Sequence, residues 1–135
     1  MPIEYRIDHE RRLVIAAGQG TVTDADVFGY QNEAGSGGKP AGYDEVVDFT
    51  RVSHIALPSI ERVRELATLS ATMDPPGVSS KLAIVAPADI AYGLGRMFQV
   101  YRELQSESTK EVAVFRTLDE ARAFLGLDDG VSLSV

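Results

Sequence analysis

The chain has 135 residues, 44% hydrophobic and 24% charged, with a formal net charge of −7. That length and balance describe one globular domain, able to bury roughly two-thirds of its unfolded surface without a metal or disulfide staple. The acidic balance argues against a general nucleic-acid binder and against docking on anionic lipid, and the absence of cysteine removes disulfides, thiolate metal sites and cysteine nucleophiles together.

Ile3, Tyr5 and Ile7 alternate with Glu4, Arg6 and Asp8, the period-two pattern of a half-buried strand. After the polar turn His9–Arg12, Leu13–Ala17 reads as a second strand, hairpinned to the first and expected to end at Gly18 and Gly20. Thr23, with Asp26 three residues on, opens a helix: the hydroxyl accepts from an orphan amide and the acid lies near the positive helix end, a cap worth roughly 1 kcal/mol. Val27, Tyr30, Gln31 and Ala34 share one face of this weakly amphipathic helix, and Gly35–Pro40 reads as a flexible connection.

Val46, Val47, Phe49 and Val52 place a third strand over about Glu45–Val52, followed by a loop over Ser53–Pro58. Ser59 is placed to cap a helix reaching about Met73, with Ile60, Val63, Leu66, Ala67 and Ser70 inward; Asp74-Pro75-Pro76-Gly77 ends it, because proline cannot continue the amide ladder. Leu82–Ala86 is a short buried strand stopped by Pro87. Asp89 opens the next helix, in which Ile90, Leu94, Met97, Phe98, Tyr101 and Leu104 are expected to face the sheet and Tyr92, Arg96, Gln99 and Glu103 another direction. Gly93 and Gly95 each cost up to about 1 kcal/mol against alanine there, which points to close packing. Glu111–Phe115 is a fifth strand, Thr117–Glu120 a capping box for a short helix, and Gly126 its left-handed stop. In the remainder, Val131, Leu133 and Val135 form an edge strand, a partner contact or nothing ordered.

The order β-β-α-β-α-β-α-β-α gives an α/β fold: a single five-stranded, mostly parallel sheet with about four helices, right-handed crossovers and an antiparallel first strand. One domain spans 1–126 and a tail spans 127–135. The start, Met-Pro-Ile-Glu-Tyr-Arg, has no basic-then-apolar leader, and no apolar run approaches the ~20 residues of a membrane span, so a cytoplasmic location without a span is expected.

Parallel sheets bind ligands beyond the carboxyl ends of their strands, near helix N-termini. That edge is expected to gather Arg51, Ser53 and His54 from one loop with Asp89, Tyr92 and Arg96 from the next, a set suited to an anionic or polar small ligand. The plainer reading is that Asp89 and Ser59 cap helices and Arg96 pairs with a surface carboxylate. His54 has acid–base capacity near neutral pH, which leaves an enzyme using His54 as a weaker third reading; a single histidine in a loop is more often ordinary, and adjacency of Asp48, Ser53 and His54 does not make a triad. His9 lies in a turn; two distant histidines make no metal signature, and no metal or cofactor is expected. Gly-x-Ser-x-Gly is absent. Gly38-Lys39 runs into Pro40, and Gly93-Leu-Gly95 continues to Phe98 where a dinucleotide fingerprint needs glycine. No enzymatic activity is expected.

The element order, with Ala-Pro-Ala-Asp-Ile-Ala-Tyr-Gly-Leu-Gly-Arg-Met-Phe (Ala86–Phe98) and the closing Glu111–Gly126, resembles the SpoIIAA-like family of small bacterial proteins, also described as STAS-like or CRAL-TRIO-like. The resemblance covers nearly the whole chain to Gly126. It implies a SpoIIAA-like fold and a non-enzymatic binding or regulatory interaction module, working as a homodimer or with a protein partner. The alternative it implies is a binding protein for a small anionic or amphipathic, lipid-like molecule, with Met97, Phe98 and Tyr101 lining an apolar pocket; at helical spacing such a stripe is more often plain core. The family's anti-sigma-factor antagonists carry an Asp-Ser-Ser/Thr-Gly-like phosphorylation loop between the third strand and the next helix. Arg51–Ser59 occupies that place without the motif, so phosphorylation carries over only to Ser53 or Ser59.

Overall fold

A computed structural model of the chain describes residues 2–34, 40, 42–105 and 109–135. The strands are β1 (Ile3–Asp8), β2 (Leu13–Thr23), β3 (Asp44–Ala56), β4 (Ser80–Val85) and β5 (Lys110–Phe115), and the helices α1 (Asp24–Glu33), α2 (Ile60–Thr72), α3 (Asp89–Glu103) and α4 (Leu118–Leu125). They form the five-stranded α/β sheet expected from the sequence, in the order β1-β2-β3-β4-β5, with β1 antiparallel to β2 and the other pairs parallel. The expected flexible connection falls mostly on 35–39, outside the described residues.

Because each crossover steps the same way along the sheet, one handedness places α1, α2 and α3 on a single face. Strand alternation then divides the core in two. Ala16, Val22, Val47, Leu82, Ile84, Val112 and Val114 pack against Tyr30, Val63, Ala67 and Phe98 under the three helices. Leu13, Ile15, Val46, Ala83 and Val85 face the other way, against Ala121 and Leu125 of α4. The tail forms no strand. Its Leu133 is 3% exposed in the second core, while Arg6 donates to the carbonyls of Ser134 and Ser132 at 2.6 and 3.1 Å.

Two strand ends differ from expectation. β2 does not stop at Gly18 or Gly20, and β3 does not stop at Val52. A Cβ on Gly18 would lie 3.0 Å from Val52 Cγ2 and 3.2 Å from Phe49 Cδ1, so this glycine marks a close approach inside the strand rather than its end. Register shifts between Ala17 and Gln19 and between Gly20 and Thr21 bulge the pair, and Gly20 takes φ +67°. Pairing then resumes to Thr23↔Ala56. Since β4 leaves β3 at Asp48↔Val85, the rest of β2 and β3 is a two-stranded ribbon projecting past the sheet.

The helices correct the expected inner faces. In α2, Val63, Ala67 and Ser70 are buried, but Ile60, at the first helical position, is exposed. In α3 the buried stripe is Ala91, Gly95, Phe98 and Arg102, with Ile90 and Leu104 left 74% and 72% exposed. A Cβ on Gly95 would meet Val114 Cγ1 at 3.0 Å, whereas nothing lies within 4 Å of one on Gly93. Only Gly95 is explained by close packing. Thr23 and Asp26 form the expected capping box. Thr117 accepts from the Glu120 amide at 3.2 Å, while the Glu120 carboxylate accepts from the Thr117 hydroxyl at 3.1 Å. Ser59 holds the N-cap position of α2 without a side-chain cap bond.

Candidate functional site

Between the three-helix layer and the sheet lies an apolar cleft with a free volume of about 110 Å³. Its floor is Val47, Leu82 and Ile84, its roof Val63, Leu66, Ala91, Leu94 and Phe98, and one wall is Val22, Phe49 and Ile55, all three carried by the projecting ribbon. Leu66, Leu94, Phe49, Ile55 and Leu57 are only half-buried, so the cleft opens on the side of the ribbon and the α1 and α2 N-termini.

Polar groups stand at its two ends. At the rim, Arg62 Nε donates to Asp24 Oδ2 at 2.7 Å and its Nη1 to Glu65 Oε2 at 2.5 Å, with the guanidinium 4.1 Å over the Phe28 ring. The Arg62 hydrogen bond holds the Asp24 carboxyl below the ordinary carboxylate range, and Asp24 and then Glu65 raise Arg62. At the buried end, the Tyr30 hydroxyl donates to Glu45 Oε2, and Lys110 Nζ lies 3.5 Å from Glu45 Oε1. Burial first, and the Glu45 charge second, pushes the Tyr30 hydroxyl well up.

Glu45 also lines a second, more polar cleft of about 220 Å³ with Ser70, Asp74, Ser80 and Lys110. Glu45, Ser80 and Lys110 occupy the amino ends of three neighbouring strands. Nearby, Arg102 is 2% exposed and donates from Nη2 to Asp74 at 2.5 Å; its Nε and Nη1 have no hydrogen-bond partner among the described residues. Buried charges persist only when paired, and each cation here faces a carboxylate.

No family model matches the chain, and no curated protein does. Among solved structures, a Shewanella loihica protein of the DUF3478 family with a SpoIIAA-like fold is 16% identical, with a TM-score of 0.55 over 91% of this chain and 93% of that one. The chain has a SpoIIAA-like fold. At that identity the likeness is one of architecture.

In this SpoIIAA-like domain the sequence-predicted residues do not come together in one place. Arg51 lines a cleft on the α4 side with Glu4, Asp48, Arg122 and the tail. Ser53 and His54 are exposed on the ribbon, where His54 pairs with Thr21. That is roughly 13 to 20 Å past the level of Val85, counting residues along β2 or β3 at ~3.3 Å each. Asp89 and Tyr92 do come together, through a residue sequence reasoning missed: Arg116 Nη1 meets Asp89 Oδ1 at 2.6 Å, and the guanidinium lies 4.1 Å over the Tyr92 ring. Arg96 is exposed and donates to Gln99 at 3.3 Å. Ser59 is exposed at its N-cap. Among the described residues no group of three metal-ligating side chains is close enough to hold an ion, and no helix is long and apolar enough to cross a membrane.

Glu45, Lys110 and Arg102 were also missed, and each had a signal. Glu45 alternates with Val47 and Phe49, which puts it on their face of the strand. Lys110 stands two residues before Val112 on β5. Arg102 continues the 91, 95, 98 stripe of α3 by one more turn.

Proposed function

We propose that this SpoIIAA-like domain is a non-catalytic binding module whose ligand is a small amphipathic molecule, its apolar body held in the cleft between helices and sheet. The observation that carries this reading is the cleft itself, apolar on floor, roof and wall, and open on one side. Magnitude narrows the ligand. An engineered apolar cavity of about 150 Å³ takes benzene, so about 110 Å³ with an open rim suits one ring or a short chain, and a long acyl chain would have to extend into solvent. The apolar lining favours binding over turnover, since an apolar body gains about 25 cal/mol per Å² removed from water without any reacting group.

Benzene is the simplest probe. At ten times its Kd, bound ligand adds about 1.4 kcal/mol to stability, a rise of a few degrees in Tm for a domain of this size. Leu66→Trp, which enlarges a half-buried lining residue, abolishes the rise while the variant still melts cooperatively. A Tm that benzene leaves unchanged in the parent protein, or an equal rise in the variant, contradicts the reading.

A further inference from the structure

We propose that two copies of this chain pair through the outer face of α3, antiparallel and about a two-fold axis. This pairing is independent of the cleft and of what the cleft binds. Of the large hydrophobic side chains exposed among the described residues, Ile90, Val100 and Leu104 lie on this one helix, and Ile60 and Val135 elsewhere. Exposed Gly93 and half-buried Met97 lie between them. Ile90, Gly93, Met97, Val100 and Leu104 thus recur at steps of three and four residues, facing away from the buried Ala91, Gly95, Phe98 and Arg102. That spacing is the a/d seam through which helices interlock knobs into holes. A short seam suffices here, because α3 is already folded within the domain and pairing bears no cost of helix nucleation.

The flanks of the stripe specify its occupant. Arg96 and Glu103, seven residues apart, stand on one flank, and half-buried Leu94 and Tyr101 on the other. Within one chain the two charges meet neutral Gln99: Arg96 Nη1 donates to its Oε1 at 3.3 Å, and its Nε2 donates to Glu103 Oε1 at 3.0 Å. A second helix laid antiparallel, with the axis between Met97 and Val100, sets Met97 against the partner's Val100 and Leu104 into the gap at the partner's Gly93. It also brings Arg96 beside the partner's Glu103, once on each side of the axis. The face is therefore complementary to itself in shape and charge, as an isologous contact requires. A parallel pairing would face Gly93 with the partner's Gly93 and leave Arg96 opposite the partner's Tyr101. One helix face on each side makes a small interface, so the dimer is weak and concentration-dependent.

Sedimentation equilibrium of the intact chain from about 10 μM to about 1 mM, in about 0.15 M salt to screen the repulsion between two copies of net charge −7, follows a monomer–dimer equilibrium. Arg96→Glu, which sets a glutamate against the partner's Glu103 on both sides of the axis, raises the dimer Kd about tenfold. Arg96→Glu combined with Glu103→Arg returns it to within about twofold of the parent value. Val100→Asp, which places a charge in the seam, leaves a monomer at the highest concentration. All three positions are exposed, so the variants keep cooperative melting; the two charge variants decide the matter if Val100→Asp does not fold. A parent chain that stays monomeric throughout, or a dimer that Arg96→Glu leaves intact, overturns the proposal. So does a doubly reversed variant as weak as the single one.

Discussion

Glu45 and Tyr30 meet at the buried end of the cleft, and their pairing has a consequence in the folded state alone. Burial, with the Glu45 charge behind it, raises the Tyr30 hydroxyl well above its ordinary 10.0. Below about pH 10 both folded and unfolded chains keep that proton, so the stabilisation is fully present. As pH rises past the unfolded value the unfolded chain releases the proton while the folded chain retains it, and stability falls. Tyr30→Phe therefore flattens the decline of the urea midpoint above about pH 10; Tyr5, also raised, contributes to the slope that remains. An unchanged slope in the variant contradicts the buried pair. At this scale the sequence was half legible. It marked Tyr30 as inward by helical spacing, but a glutamate beside two valines reads as a strand end, and only strand register reveals that it shares a face with Val47. The predicted Arg51, Ser53 and His54 group failed to meet Asp89, Tyr92 and Arg96 for a related reason: β3 runs on past the sheet and carries Ser53 and His54 away.

Elements were the most legible level, because caps and apolar periodicity are local. Every strand and helix was anticipated, and the antiparallel first strand with them. What was not local was misread. Gly18 and Gly20 look like stops until a neighbouring strand shows that one sits at a close approach and the other at a bulge. The ribbon thus hidden supplies Phe49 and Ile55 to the cleft. The α3 glycines likewise look alike in sequence and differ in place. Gly93→Ala, with open space around the new methyl, stabilises by up to about 1 kcal/mol. Gly95→Ala gains the same propensity but presses on Val114, and overpacking of this kind costs about 1–3 kcal/mol, so it destabilises. Denaturant unfolding of the two variants gives opposite signs; a gain at both positions contradicts the packing of α3 on β5.

The whole molecule is a sheet with two unlike faces. α4 and Leu133 pack an apolar core on one, with a polar cleft beside the tail; three helices cover the other and leave an apolar cleft against it. The one-directional order of the strands makes this asymmetry, since it commits three crossover helices to one side. That order was inferable from the alternation of strands and helices, but the cleft was not, because free volume depends on how side chains from seven elements fit together. The central claim is that this space binds a small molecule. Methyl-resolved NMR during a benzene titration tests it most directly. The account predicts shifts concentrated on cleft-lining Val47, Val63, Ile84 and Leu94, saturating together with one Kd. Shifts confined to the exposed Ile60, Ile90 and Leu104, or none that saturate, would contradict it.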